Sequence, residues 1–169
     1  LQTLSYSVVG NTNSDLATPS IDGSGVLTIS YTSDDNGSAT ITVRADDSNG
    51  STLDESFTVT VSAVNDPVTL SLAISNYTVS EDANATTTDL DNIFGDIDIA
   101  NGDASALQTL TYSLISNTNS DLATTSIDAG TGVLTVTYTS DDNGSATITI
   151  RADDSNGSTL DESFTVTVT

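Results

Sequence analysis

Histidine, lysine, cysteine, methionine and tryptophan are all missing from this chain of 169 residues, and two arginines are its whole cationic complement. Each absence removes a class of chemistry. Two arginines against 24 Asp plus Glu, a formal net charge of −22, cannot displace counterions from nucleic-acid phosphates. An anionic membrane surface repels such a chain, and no apolar run approaches the roughly 20 residues of a spanning helix, so direct membrane contact is not expected. Without Cys there is no disulfide framework and no thiolate. Without His or Lys the commonest general bases, zinc ligands and Schiff-base nucleophiles are gone, as are Lys–Asn isopeptide crosslinks. What remains is oxygen, in carboxylates, hydroxyls and carbonyls, the ligand set of hard cations.

The acidity does not bring disorder, because hydrophobic residues make up 36% of the chain and recur periodically. Of the acids, 21 are Asp and three are Glu (Glu55, Glu81 and Glu162). Asp favours turns and caps whereas Glu favours helix interiors, so the bias argues against a helical protein. No signal peptide or lipidation motif is visible, which does not bear on secretion because the chain opens inside a repeat.

That repeat dominates the sequence. Leu1 to Asp22 aligns with Leu107 to Asp128 at 17 of 22 positions, and Gly23 to Val61 with Gly130 to Val168 at 35 of 39. A period near the roughly 100 residues of a β-sandwich domain makes each copy a whole domain. The second copy is complete, while the first has no counterpart of Val64 to Ala106. Either the chain is a slice of a longer tandem array, or a neighbouring chain supplies the absent strands. The array is preferred, since near-identical copies accompany long arrays.

Within a copy, apolar residues alternate with Thr. Ala146, Ile148, Ile150 and Ala152 form one such set, Phe164, Val166 and Val168 another, and Leu134, Val136 and Tyr138 a third. Period two with β-branched residues predicts half-buried antiparallel strands. Asp141-Asp142-Asn143-Gly144 and Asp153-Asp154-Ser155-Asn156-Gly157 read as hairpin turns whose Asn-Gly supplies positive φ. The most helix-like piece, Leu90, Ile93 and Phe94, is short. The expectation is an all-β sandwich of about seven strands per repeat.

The second copy resembles a cadherin repeat. Tyr77, Val79 and Glu81 are similar to the family's first-strand motif, in which the Glu is a calcium ligand. Asp96-Ile97-Asp98 resembles its Asp-x-Asp motif, Leu110 to Leu114 its third strand, and Ala152-Asp153-Asp154 its Ala-x-Asp pattern, with Asp154 at the ligand position. Ala63-Val64-Asn65-Asp66-Pro67 resembles the calcium-binding linker. The likeness is to the dystroglycan-type, cadherin-like tandem repeats of large bacterial surface adhesins. It implies seven-stranded Greek-key β-sandwiches, immunoglobulin-like in architecture, with residues 1–62 a partial repeat, 63–67 a linker and 68–169 a complete repeat. The family's Asp-Arg-Glu motif is replaced by Asp34-Asp35-Asn36-Gly37 and its later copy, so Asp34 and Asp35 either supply equivalent oxygens or form a solvated hairpin tip. The implied metal set is Asn65, Asp66, Glu81, Asp96, Asp98, Asp154, Asp34 and Asp35.

Electrostatics agrees with that set. A sandwich would gather the loops of Asp66, Glu81, Asp96, Asp98 and Asp154 at one pole, where like charges ~4 Å apart repel by about 4 kcal/mol at an effective dielectric near 20. Calcium accepts six to eight oxygens in irregular geometry, which suits this set better than magnesium, zinc or copper. The plain alternative is that these acids only solubilise the surface.

The expected role is a calcium-stiffened spacer of a secreted or cell-surface adhesin or fibre, partnered by neighbouring repeats or like chains, and not an enzyme. Alternatives are a recognition domain for carbohydrate or a like repeat, and a filament subunit completed by strand complementation. A carboxylate-pair glycosidase is set aside because every Asp pair lies in a turn repeated with its domain. Arg44 and Arg151, each beside an Asp pair, read as local ion pairs. Six Asn-x-Ser/Thr sequons, at Asn36, Asn49, Asn76, Asn84, Asn143 and Asn156, leave glycosylation open.

Overall fold

The computed structural model describes residues 3–100 and 108–169. The chain divides into two compact units, Leu1–Val64 and Asn65–Thr169. In the second, the strands are β6 (Thr69–Leu70), β7 (Tyr77–Val79), β8 (Thr86–Asp89), β9 (Phe94–Gly95), β10 (Thr111–Asn117), β11 (Ala123–Ile127), β12 (Val133–Tyr138), β13 (Gly144–Asp153) and β14 (Thr159–Val168). Seven of them build the sandwich, one sheet ordered β10-β13-β14-β7 and the other β11-β12-β8, while the two-residue strands β6 and β9 pair beside them. All pairings are antiparallel except that of β7 with β14.

The alternating residues do what their period requires. Ala146, Ile148, Ile150 and Ala152 of β13 and Phe164, Val166 and Val168 of β14 share one core with Leu134, Val136 and Tyr138 of β12. Leu90, Ile93 and Phe94 complete it, with the Tyr77 and Phe164 rings stacked at 6.0 Å. The short helix-like stretch is a 3-10 turn, Leu90–Asn92, capped by the Asp89 side chain. A single helical turn, α1 (Ile97–Ala100), follows β9.

The first unit carries the equivalents of β10 to β14 as β1 (Ser5–Asn11), β2 (Ala17–Ile21), β3 (Leu27–Tyr31), β4 (Gly37–Asp46) and β5 (Thr52–Val61). Its sheets are β1-β4-β5 and β2-β3. No described strand pairs with the far edge of β5 or of β3, where the second unit places β7 and β8. Burial follows. Tyr138 is 9% exposed but its repeat partner Tyr31 is 52% exposed, and Phe57, Val59 and Val61 are half-buried where Phe164, Val166 and Val168 are buried.

The hairpin turns differ from expectation in one detail. Positive φ falls on the glycines Gly37, Gly50, Gly144 and Gly157 as anticipated, but the other left-handed residues of these turns are Asp34 (57°), Asp141 (56°), Ser48 (60°) and Ser155 (63°), not the Asn before the glycine. Asp tolerates that region, and Asp35 and Asp142 each accept the following Asn N–H through Oδ1, which holds the Asn out of it.

Candidate metal centre

The β13–β14 hairpin holds Asp154 by contacts its own sequence provides. Asp154 Oδ1 accepts the backbone N–H of Asn156 at 2.8 Å and of Ser158 at 2.9 Å, an Asx turn tightened by a second bond. Its repeat partner Asp47 makes the same pair, with Asn49 at 2.9 Å and Ser51 at 3.0 Å. The loop geometry is therefore local. The burial is not, for Asp154 is 0% exposed whereas Asp47 is half-buried. The difference comes from the segment only the second unit has. Asn65 Nδ2 donates to Asp154 Oδ2 at 3.0 Å, and Val68 N donates to Ser158 Oγ at 3.0 Å.

Asp98 lies in α1 and Asp96 directly precedes it, accepting the Ala100 N–H through its backbone carbonyl at 3.0 Å. The Asp98 N–H donates to Asp96 Oδ1 at 2.9 Å, and Asp98 Oδ2 accepts the Asp66 N–H at 2.9 Å. Both aspartates are 6% exposed. Gln108 closes the group, donating through Nε2 to Asn65 Oδ1. Asp96 Oδ2 and Gln108 Oε1 are buried and receive no hydrogen bond from the described residues. Both residues also line a cavity of about 710 Å³ bounded by Phe94, Tyr112 and Ile127.

Burial pushes the Asp154 carboxyl up, but the bonds from Asn65 and from the N–H groups of Ser158, Asn156 and Gly157 outweigh it and hold the group below its usual range. It is therefore a buried anion at neutral pH.

The structure thus brings Asn65, Asp66, Asp96, Asp98 and Asp154 to one pole. Glu81 is not among them, which corrects the expected grouping. The Glu81 N–H donates to Thr169 O at 2.8 Å, past the end of β14, because β7 runs parallel to β14 with Val79 beside Val168. Asp154 precedes the start of that ten-residue strand, so about 30 Å of extended chain separates the two. Glu81 shares its end with the Asp141 turn, whose N–H donates to Asp82 Oδ1 at 3.3 Å. Asp34 and Asp35 lie in the other unit, on the β3–β4 turn, at the end where Gly37 pairs with Val61. The arginines are ion-paired, though not to the adjacent Asp pairs: Arg44 holds Asp54 across β4 and β5, and Arg151 holds Asp161 across β13 and β14, each through two bonds.

Two members of the cluster were not anticipated. Ser158 is hidden among many serines. Gln108 had a signal, since the chain has two glutamines, Gln2 and Gln108, and they share one repeat position.

The donors suit a hard cation in kind, being all oxygen, with one carboxylate oxygen and one amide oxygen buried and unsatisfied. Among the described residues no three carboxylates are grouped closely enough to hold an ion alone. No described helix is long and apolar enough to cross a membrane.

Two packed sheets in this strand order form a β-sandwich of cadherin-like fold. The chain is similar to human CDH23 EC21-23, with a TM-score of 0.62 and 17% identity over 98% of this chain, and it spans 58% of that one. It is similar to human mucin-like protocadherin EC1-2, with a TM-score of 0.61, 15% identity and coverage of 98% and 84%. A third likeness is to protocadherin gamma B2 extracellular cadherin domains 1-5, with a TM-score of 0.57, 19% identity and coverage of 98% and 33%. No protein-family model and no curated protein matches the sequence.

Proposed function

We propose that this chain is a spacer segment of an extracellular adhesin or fibre, of the bacterial cadherin-like type, stiffened by calcium and without catalytic activity. The observation that carries it is the pole of the second unit. A buried anionic Asp154, two further buried aspartates and an unsatisfied Asp96 oxygen are assembled around Asn65 and Asp66, the residues by which the chain enters that unit. Calcium offsets the repulsion of carboxylates brought to one pole. Asn65, Asp66, Asp96, Asp98 and Asp154 would hold it, and bound calcium would pin the entering chain to the β13–β14 hairpin and the turn of α1. Affinities near 10⁻⁴ to 10⁻³ M are usual for extracellular modules and match calcium outside cells.

Thermal melting with and without calcium tests this. Calcium raises the Tm of the wild type through linkage, Asp66→Ala reduces the gain, and Asp121→Ala, on an exposed turn, leaves it intact. Equal gains in all three would mean bulk screening of the −22 charge.

A second reading has its own support in the first unit. Its open edges on β3 and β5, and its half-buried Phe57, Val59 and Val61, match positions that β7, β8 and residues 90–94 cover in the second unit. A segment like those would complete the first unit, whether from a like chain in a filament or from a neighbouring repeat.

A further inference from the structure

The cluster contains a chain of orientation that begins at Asp154. An ionised carboxylate only accepts hydrogen bonds. Asp154 Oδ1 is taken by the N–H groups of Asn156 and Ser158, and Oδ2 receives Asn65 Nδ2 at 3.0 Å. The Asn65 amide therefore cannot turn over, because its oxygen would then face a carboxylate. Its Oδ1 is left pointing away from Asp154, where it accepts from Gln108 Nε2. Gln108 is fixed in its turn, since the opposite orientation would set two carbonyl oxygens against each other. The orientation of one buried anion is thus passed through two neutral amides to Gln108 Oε1.

That oxygen receives no donor from the described residues. Gln108 is 9% exposed, and among the described residues Oε1 is one of two buried side-chain acceptors without a partner, the other being Oδ2 of Asp96, which is 6% exposed. Both residues line the same cavity. Buried acceptors are satisfied in nearly all native structures by protein, water or an ion, so two left without a donor in residues that line one cavity mark a place for such a partner. A hard cation binds amide carbonyl oxygen as readily as carboxylate oxygen. It would need neutral ligands here, because no three carboxylates among the described residues can hold it alone.

We infer that Gln108 Oε1 is a ligand of the calcium ion together with Asp96 Oδ2, and that Asn65 is a positioning residue which acts through Gln108 by relaying the orientation set by Asp154. This rests on the calcium reading above and adds to it a ligand outside the Asp-x-Asp, Ala-x-Asp and linker motifs. It also moves the Asn65 side chain from ligand to support.

Terbium luminescence tests the inference on the full chain, with terbium below one equivalent standing in for calcium. Lifetimes in H₂O and D₂O count the waters on the bound ion, and calorimetry gives the calcium affinity. Gln108→Leu should weaken calcium about tenfold or more and add one water to the bound terbium. Asn65→Ala should add a water as Gln108→Leu does, an effect that loss of packing alone would not produce. Asp96→Asn should weaken terbium, which locates the signal in this cluster. Unchanged affinity and hydration in Gln108→Leu, or unchanged hydration in Asn65→Ala, overturns the inference and leaves the calcium reading standing. A wild type that binds no calcium at millimolar concentration, or terbium indifferent to Asp96→Asn, overturns the calcium reading itself.

Discussion

Phe57 and Phe164 sit in identical local sequence, Asp-Glu-Ser-Phe-Thr-Val-Thr-Val, so any difference between them is tertiary. Phe164 is 1% exposed and stacks on Tyr77, while Phe57 is half-buried on a sheet with an open edge. Phe164→Ala should cost its unit about 3–5 kcal/mol, the usual range for emptying a closed aromatic site. Phe57→Ala should cost the first unit less than half of that. Urea unfolding of each variant checks it, and equal losses would mean that the first unit is covered in solution. Asp47 and Asp154 make the same comparison for charge. Each accepts the same two backbone N–H groups, yet only Asp154 is fully buried, because only its unit has Asn65 and Val68 to lie over the hairpin.

At the level of elements, the Asp154 hairpin makes a prediction about acid. Its carboxyl lies below the usual range when folded, and an unfolded Asp titrates near 3.9. The folded state thus binds the proton more weakly. The stabilisation it brings is complete above about pH 4 and is lost as pH falls through the lower folded value. In chelator, Asp154→Asn should be less stable than the wild type at pH 7 and lose less stability below pH 4, as read by urea unfolding. Parallel pH profiles would contradict the buried anion. The elements themselves were legible in the sequence wherever the cause was local. Strand alternation in β12 to β14 is a property of adjacent residues and so could be read directly. So could the turn sequences, although the left-handed non-glycine residue proved to be Asp34, Ser48, Asp141 or Ser155 and not Asn. The grouping of Asn65, Asp66, Asp96, Asp98 and Asp154 was readable because a resemblance tied their motifs together. Glu81 was misplaced because its position depends on β7 running parallel to β14, a choice that no residue near Glu81 records. Gln108 was missed because its role exists only through Asn65, 43 positions away.

For the whole molecule, the formal charge of −22 separates into populations with different fates. Asp22 and Asp128 are exposed turn acids, their carboxyls held low by Ser24 and Thr131 and by neighbouring backbone N–H groups, and they belong to the general acidity that keeps such a chain soluble. Asp54 and Asp161 are spent on the two arginines. Asp96, Asp98 and Asp154, at the pole where the chain enters the second unit, are different, being buried, with one Asp96 oxygen lacking a hydrogen-bond donor among the described residues. The most direct test of the central claim is a calcium titration of the full chain followed by backbone amide NMR. The amides of Asp66, Asp98, Asn156 and Ser158, which donate to the clustered carboxylates, should shift together and saturate at millimolar calcium, while that of Asp121 stays still. Shifts spread evenly over the exposed Asp turns, with no saturation at this pole, would contradict it.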